Sequence, residues 1–221
     1  MTTTSTDHRL SMDELAAVIA RDIPAGSFVN LGIGLPTKVA NYLPHEREIF
    51  LQSENGLLGM GPAPAAGYED WELINAGKQA VTLLPGGAYF HHTDAFVMMR
   101  GGHIDITVLG AFQVAANGDL ANWATDDAAL PPAVGGAMDL AVGARRVFVL
   151  TTHTTKDGRP KLLPSCTYPL TAAAVVDRVY TDLAVIDVTP EGFVVREMVP
   201  GLGRDELRAK TAAPLHFEDE S

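Results

Sequence analysis

The chain has 221 residues, 47% of them apolar, enough for one domain with a substantial buried core. Its formal charge of −11, with no basic run and no basic-aromatic interleaving, excludes nucleic acid as an expected partner. No stretch has the length of a membrane span, Met1–Asp7 lacks the form of a secretory leader, and the single cysteine, Cys166, rules out an internal disulfide, so a cytoplasmic protein is expected.

A single domain over residues 11–212 is expected, with residues 1–10 disordered and a frayed tail over 213–221. Ser11-Met12-Asp13-Glu14 has the form of a capping box, and Leu15, Val18 and Ile19 mark the apolar face of a helix that stops before Pro24-Ala25-Gly26. Phe28–Leu31 reads as a strand broken by Gly32-Ile33-Gly34-Leu35-Pro36, after which Thr37–Tyr42 reads as helical. Further strands are expected at Ile49–Gln52, Ala80–Leu84, Ile104–Leu109, Val147–Leu150, Leu183–Val188 and Phe193–Arg196. Helices are expected at Asp94–Met99, Ala137–Gly143 and Arg204–Lys210. Several of the strands are continuously apolar rather than alternating, which indicates a mostly parallel sheet covered on both faces. The fold class is therefore α/β.

The chemistry concentrates in a few segments. Glu54 lies in Ser53-Glu54-Asn55-Gly56, directly after the apolar run Ile49-Phe50-Leu51, so it stands where a strand of an α/β sheet delivers its residues to a ligand. Gly56, Gly59 and Gly61 remove Cβ atoms from the surrounding segment and suit close approach of a substrate to the backbone. Taken alone, the segment reads first as a mobile loop with an ordinary exposed Glu. Asn30 ends a strand beside a glycine pair, where its amide suits donation to a developing oxyanion or a thioester carbonyl. A dinucleotide fingerprint would need a third glycine where Thr37 stands, so that reading fails on its own spacing. Lys78 in Asn75-Ala76-Gly77-Lys78 fits a phosphate contact and a solvated turn lysine equally well. Gly135-Gly136 opens a helix, as an anion site or a plain turn would.

His91-His92, with Asp94 and His103, invites a metal reading, yet adjacent histidines in an extended segment point to opposite sides and no second ligand pair completes a set. No metal is expected. Cys166 has no neighbouring base, and no Gly-x-Ser-x-Gly elbow supports a serine hydrolase.

Asn30-Leu31-Gly32-Ile33-Gly34-Leu35-Pro36, Ser53-Glu54-Asn55-Gly56, Gly135-Gly136-Ala137-Met138-Asp139-Leu140 and Thr181-Asp182-Leu183-Ala184-Val185 together resemble the β subunit of the family I CoA-transferases, over nearly the whole chain. The resemblance implies an open α/β sandwich, Glu54 as the nucleophile, Asn30 and Gly135 at the oxyanion and thioester site, and Lys78 as a contact to CoA. It also implies a partner α subunit in a hetero-oligomer, and coenzyme A thioesters as substrates with no separate cofactor. Gly86–Asp94, Gly110–Val114 and Cys166–Thr171 look most like the 3-oxoadipate CoA-transferases, with succinyl-CoA as donor and His91 or His92 as a contact to the distal carboxylate. The succinyl-CoA:acetoacetate enzymes are the second reading. An acyl-CoA hydrolase on the same scaffold differs only in whether water reaches the glutamyl intermediates, and a non-catalytic CoA-binding module is the alternative from another class.

Overall fold

The computed structural model describes residues 9–126, 129 and 131–217. Helix α1, Met12–Asp22, begins with the expected reciprocal cap: the Glu14 amide donates to Ser11 Oγ at 3.2 Å and the Ser11 amide donates to Glu14 Oε2 at 2.8 Å. Such a cap contributes about 1 kcal/mol. Leu15, Ala16, Ile19 and Ala20 form its buried face.

Ten strands form the main sheet: β1 Phe28–Leu31, β2 Phe50–Ser53, β3 Leu57–Met60, β4 Leu83–Tyr89, β5 Ile106–Gly110, β8 Arg146–Thr151, β10 Val176–Thr181, β11 Ala184–Thr189, β12 Gly192–Met198 and β13 Leu215–Phe217. Their spatial order is β13-β12-β11-β10-β8-β5-β1-β2-β3-β4. The centre, β10-β8-β5-β1-β2, is parallel throughout. Antiparallel pairs extend it on both sides, through β3 and β4 at one edge and β11 and β12 at the other, where β13 adds a last parallel strand. A second sheet joins β6 Gln113–Ala115, β7 Leu120–Ala121 and β9 Leu162–Leu163 in the order β7-β6-β9.

The reason the central strands read as unbroken apolar runs is visible in β8. Val147 and Val149 enter one hydrophobic cluster, while Phe148 and Leu150 enter another. The first cluster includes Ala95 and Met99 of α2 (His92–Arg100), Leu140 and Ala141 of α3 (Ala137–Gly143), and Leu207 of α4 (Arg204–Ala209). The second includes Leu15 and Ile19 of α1. Alternation along a strand therefore serves two cores rather than a core and solvent.

Four expectations shift. Thr37–Tyr42 belongs to a 3-10 helix, Leu35–Tyr42, whose entry is set by i to i+3 bonding of the Thr37 amide to the Gly34 carbonyl with Pro36 lacking a donor. The strand expected at Ala80–Leu84 runs instead over Leu83–Tyr89, because the turn at Asn75–Gln79 leaves Ala80 only an isolated bridge to Ile74. The tail expected to fray from residue 213 supplies β13, and its last residues, 218–221, lie outside the described ones. Residues 1–8 of the expected disordered segment also lie outside, while Arg9 and Leu10 are tied to Asp182 by an ion pair at 2.7 Å and a backbone bond at 2.9 Å.

Candidate active site

The carboxyl ends of β1, β5 and β8 open into one cleft of about 450 Å³. Its lining includes Asn30 to Ile33, Leu109 to Phe112 and Leu150 to Thr152, together with Glu54, Ala133 to Ala137 and Lys161. Ligands in open α/β sheets bind at this edge because strand ends and helix starts converge there.

Every residue of Ser53-Glu54-Asn55-Gly56 except the Glu has its polar or steric role filled by the turn itself. Ser53 Oγ donates to Asn55 Oδ1 at 2.6 Å and accepts from the Ala76 amide at 3.3 Å. Asn55 Nδ2 donates to the Ile74 carbonyl at 2.7 Å. Gly56 adopts φ +105°, and a Cβ there would strike the Phe90 carbonyl. The Phe90 amide donates back to the Gly56 carbonyl at 3.0 Å. His92 Nδ1 donates to the Glu54 backbone carbonyl at 2.9 Å, which fixes the tautomer with a hydrogen on that nitrogen.

The Glu54 side chain is half-buried and makes no hydrogen bond or ion pair among the described residues. Burial pushes its carboxyl above the usual glutamate range, His92 draws it down and Asp139 adds to the rise. Asp139 is itself paired with Arg100 at 2.6 Å. Opposite the carboxylate stands Gly136, the N-cap of α3, where any Cβ would collide with Glu54 Oε2 and with the Phe96 ring. Of the glycine pair it is Gly136, not Gly135, that makes the close approach to the carboxylate. Gly135 lines the same cleft at φ +49°, with open space where its Cβ would be.

Asn30 lines the cleft too, but its amide is already engaged: Nδ2 donates to Gln52 Oε1 at 2.6 Å and to the Gln52 carbonyl at 3.1 Å. Lys78 stands outside the lining, exposed at φ 62° in the turn closed by its amide on the Asn75 carbonyl. Ala76, two residues before it, does reach the cleft. His91 and His92 also lie outside the lining. His91 caps α2, its Nδ1 accepting from the Thr93 amide at 3.2 Å, and His92 stacks at a tilt on Phe96 with ring centroids 4.7 Å apart. The missing Cβ atoms of Gly59 and Gly61 allow contact with Gly87 and Thr82, and neither glycine lines the cleft that holds Glu54.

Two lining residues were not legible as site residues. Lys161 follows the polar run Thr154–Pro160, which reads as an ordinary loop, and Thr151 is the last residue of an apolar strand. Only the topology, which joins β9 to β6 beside the end of β5, brings them to the cleft. Among the described residues no three His, Cys, Asp or Glu side chains are grouped to hold a metal ion, and no helix is long and apolar enough to cross a membrane.

The site is thus an unpartnered carboxylate set against a glycine at a strand-end cleft of an open α/β sheet, and the fold and sequence compare with known proteins as follows. The family described as Coenzyme A transferase matches residues 12–210. The chain is 62% identical over 208 residues to a subunit of the 3-oxoadipate CoA-transferase of Acinetobacter baylyi, covering 94% of this chain and 96% of that one. It is 45% identical over 194 residues to a subunit of the succinyl-CoA:3-ketoacid coenzyme A transferase of Helicobacter pylori strain 26695, covering 88% of this chain and 93% of the relative. Among solved structures, an acyl-CoA transferase from Escherichia coli O157:H7 shares the fold with a TM-score of 0.72 at 18% identity, over 96% of this chain; the chain spans only 43% of that protein's length. This chain belongs to the coenzyme A transferase family.

Proposed function

We propose that this chain is the nucleophile-bearing subunit of a CoA-transferase that moves CoA from succinyl-CoA to 3-oxoadipate, working with an α subunit in the cytoplasm. One observation carries the reading: the Glu54 carboxylate is half-buried, free of protein partners and set against a glycine in a cleft, while all its neighbours in the motif are spent on holding the turn. A structural Glu would be paired or solvated. A partly desolvated carboxylate held in place is a nucleophile ready for an acyl carbon.

The steps balance without a resident cofactor. Glu54 attacks the succinyl thioester carbonyl and expels CoA thiolate, leaving a mixed anhydride; the thiolate attacks the glutamyl carbonyl and releases succinate, leaving a Glu54–CoA thioester. The carboxylate of 3-oxoadipate attacks that thioester, again expelling the thiolate. The thiolate then attacks the 3-oxoadipyl carbonyl of the new anhydride, freeing Glu54. Each tetrahedral intermediate needs hydrogen-bond donors for its oxyanion. We assign these to the backbone at Gly135–Gly136, where α3 begins, with Asn30 as the facing wall of the thioester site, its amide held by Gln52. Lys78, exposed on the turn behind Ala76, suits the remote phosphates of CoA.

Identity favours 3-oxoadipate over acetoacetate as the acceptor, since the 3-oxoadipate relative is 62% identical and the 3-ketoacid relative 45%. The test is a transfer assay of the chain assembled with its α subunit, using succinyl-CoA and either acid. A higher kcat/KM for 3-oxoadipate supports the assignment; a higher value for acetoacetate replaces it with the second reading. Hydrolysis of succinyl-CoA without transfer to either acid would make the chain a hydrolase, and CoA binding without turnover a binding module.

A further inference from the structure

Among the described residues, the lining of the cleft includes one cation that the steps above do not use. Lys161 lines it, half-buried, with Nζ donating to Thr151 Oγ1 at 3.0 Å. Thr151 is committed in turn, its hydroxyl donating to the Ala111 carbonyl at 3.0 Å, so it meets Lys161 as an acceptor. Among the described residues no carboxylate forms an ion pair with Lys161. The backbone around it is fixed on both sides, its amide donating to the His153 carbonyl at 3.1 Å and its carbonyl accepting from the Val114 amide at 2.9 Å.

An ammonium in this position is under-compensated. Burial lowers its pKa, and the through-space pull of Asp182 opposes this only in part. Asp182 is occupied elsewhere, accepting from the His153 amide at 2.7 Å and pairing with Arg9 at 2.7 Å. In a chain with a net charge of −11, a half-buried lysine that pairs with no carboxylate among the described residues leaves hydrogen-bonding capacity for an anionic ligand. Glu54 and Lys161 line the same cleft, and no hydrogen bond or ion pair joins them among the described residues. The lining also includes the apolar side chains Leu31, Leu109, Leu140 and Leu150.

We infer that Lys161 is the specificity-determining residue that binds the second carboxylate of a dicarboxylic acyl group whose first carboxyl reacts at Glu54, an assignment resting on the proposed role of Glu54. A cleft that offers a carboxylate nucleophile, apolar walls and an uncompensated ammonium suits an acid with a reacting carboxyl and a second charge. Succinyl and 3-oxoadipyl groups both present that second charge, whereas butyryl and acetoacetyl groups do not. Unlike His91 and His92, Lys161 is part of that lining.

The test reads the first half-reaction. The chain, assembled with its α subunit, is incubated with succinyl-CoA or with butyryl-CoA, which has the same acyl length but no second carboxylate, and formation of the CoA adduct on Glu54 is timed by intact-protein mass spectrometry. Lys161→Met is expected to slow adduct formation from succinyl-CoA at least tenfold and from butyryl-CoA less than about twofold, with Lys161→Arg restoring part of the succinyl rate, as loss of one charge-assisted hydrogen bond requires. Equal slowing with both thioesters, or none, would overturn the inference. If Lys161→Met does not assemble, calorimetry on the wild-type complex decides: succinate binding at least tenfold tighter than butyrate upholds it and equal binding overturns it. Failure of wild type to form an adduct from either thioester would sink the role of Glu54, while the calorimetric comparison would still judge Lys161 as a carboxylate site.

Discussion

Two buried polar groups in this molecule behave in opposite ways, and the contrast separates a site from a scaffold. His153, packed without exposure at the end of β8, has every valence met: Nδ1 bonds Thr181 Oγ1 at 3.0 Å and Nε2 bonds Thr211 Oγ1 at 2.8 Å. Glu54 has none met by side chains, although its surroundings shift it too. Both pKa values are perturbed, and both chiefly by burial. Perturbation alone therefore identifies neither as functional. What marks Glu54 is its open valences, facing a cleft in which Gly136 has given up a Cβ to admit the carboxylate.

The largest expected effect comes from removing the nucleophile. Glu54→Gln keeps the shape and deletes the charge, so CoA transfer by the assembled enzyme falls by about a thousandfold or more while circular dichroism is unchanged. Its thermal stability should not fall. Because the folded pKa of Glu54 is raised, the wild-type residue weakens the fold as pH rises through that value, and Gln relieves this at pH 7.5 but not below about 4.5. A Gln variant with near-normal transfer would place the chemistry elsewhere.

Gly136→Ala comes next. The added methyl group occupies the space of Glu54 Oε2 and displaces the carboxylate, which should lower kcat by about ten- to a hundredfold, the effect of misplacing a reacting group by an ångström. Its φ of −85° suits alanine, so the melting temperature is expected to stay near the wild-type value. An unchanged kcat would show that Glu54 reacts from another conformation.

His153→Gln should do the reverse, lowering stability by about 2–3 kcal/mol through two disturbed buried hydrogen bonds while the folded complex retains its kcat. Burial holds the His153 pKa down at about 4. The unfolded chain therefore takes up that proton first as pH falls, and wild-type stability declines between about pH 6.5 and 4 by on the order of 3 kcal/mol, a slope that denaturant titration should find reduced in the variant. A variant with normal stability but lost turnover would erase the distinction drawn between the two regions.

The adjacent histidines give the smallest and most discriminating effect. His91→Ala removes an N-cap and should cost α2 about 1 kcal/mol with little change in kcat/KM. His92→Leu frees the Glu54 carbonyl and removes the influence of His92 that draws the Glu54 pKa down, so kcat should fall for every acid tested rather than for dicarboxylic acids alone.

Much of this architecture was legible in the sequence, for reasons that also explain what was not. The Ser11 cap and the bounds of α3 depend on local chemistry, and both read correctly. The parallel centre was visible because β5 and β8, buried on both faces, carry apolar residues in succession rather than in alternation. β10 was missed because Asp177 and Arg178 interrupt its pattern, and only in the fold does Arg178 meet Asp187 across β11 and Asp22 of α1. β3 was missed, and β4 expected too early, because Gly59 and Gly87 serve strand-to-strand approach, which looks in sequence like a turn. Within the cleft, the Ser53–Gly56 turn and the glycine pair at 135–136 stood out as local motifs. Lys161 did not, because a lysine after a polar loop acquires meaning only from the strands that carry it beside Thr151.

The most direct measurement is to incubate the assembled enzyme with succinyl-CoA in the absence of an acceptor acid, digest it, and map the covalently held CoA by mass spectrometry. The account predicts a thioester on the peptide carrying Ser53-Glu54-Asn55-Gly56, lost on adding 3-oxoadipate and absent from Glu54→Gln. CoA attached to any other residue, or an unmodified Glu54 in enzyme that is turning over, would contradict it.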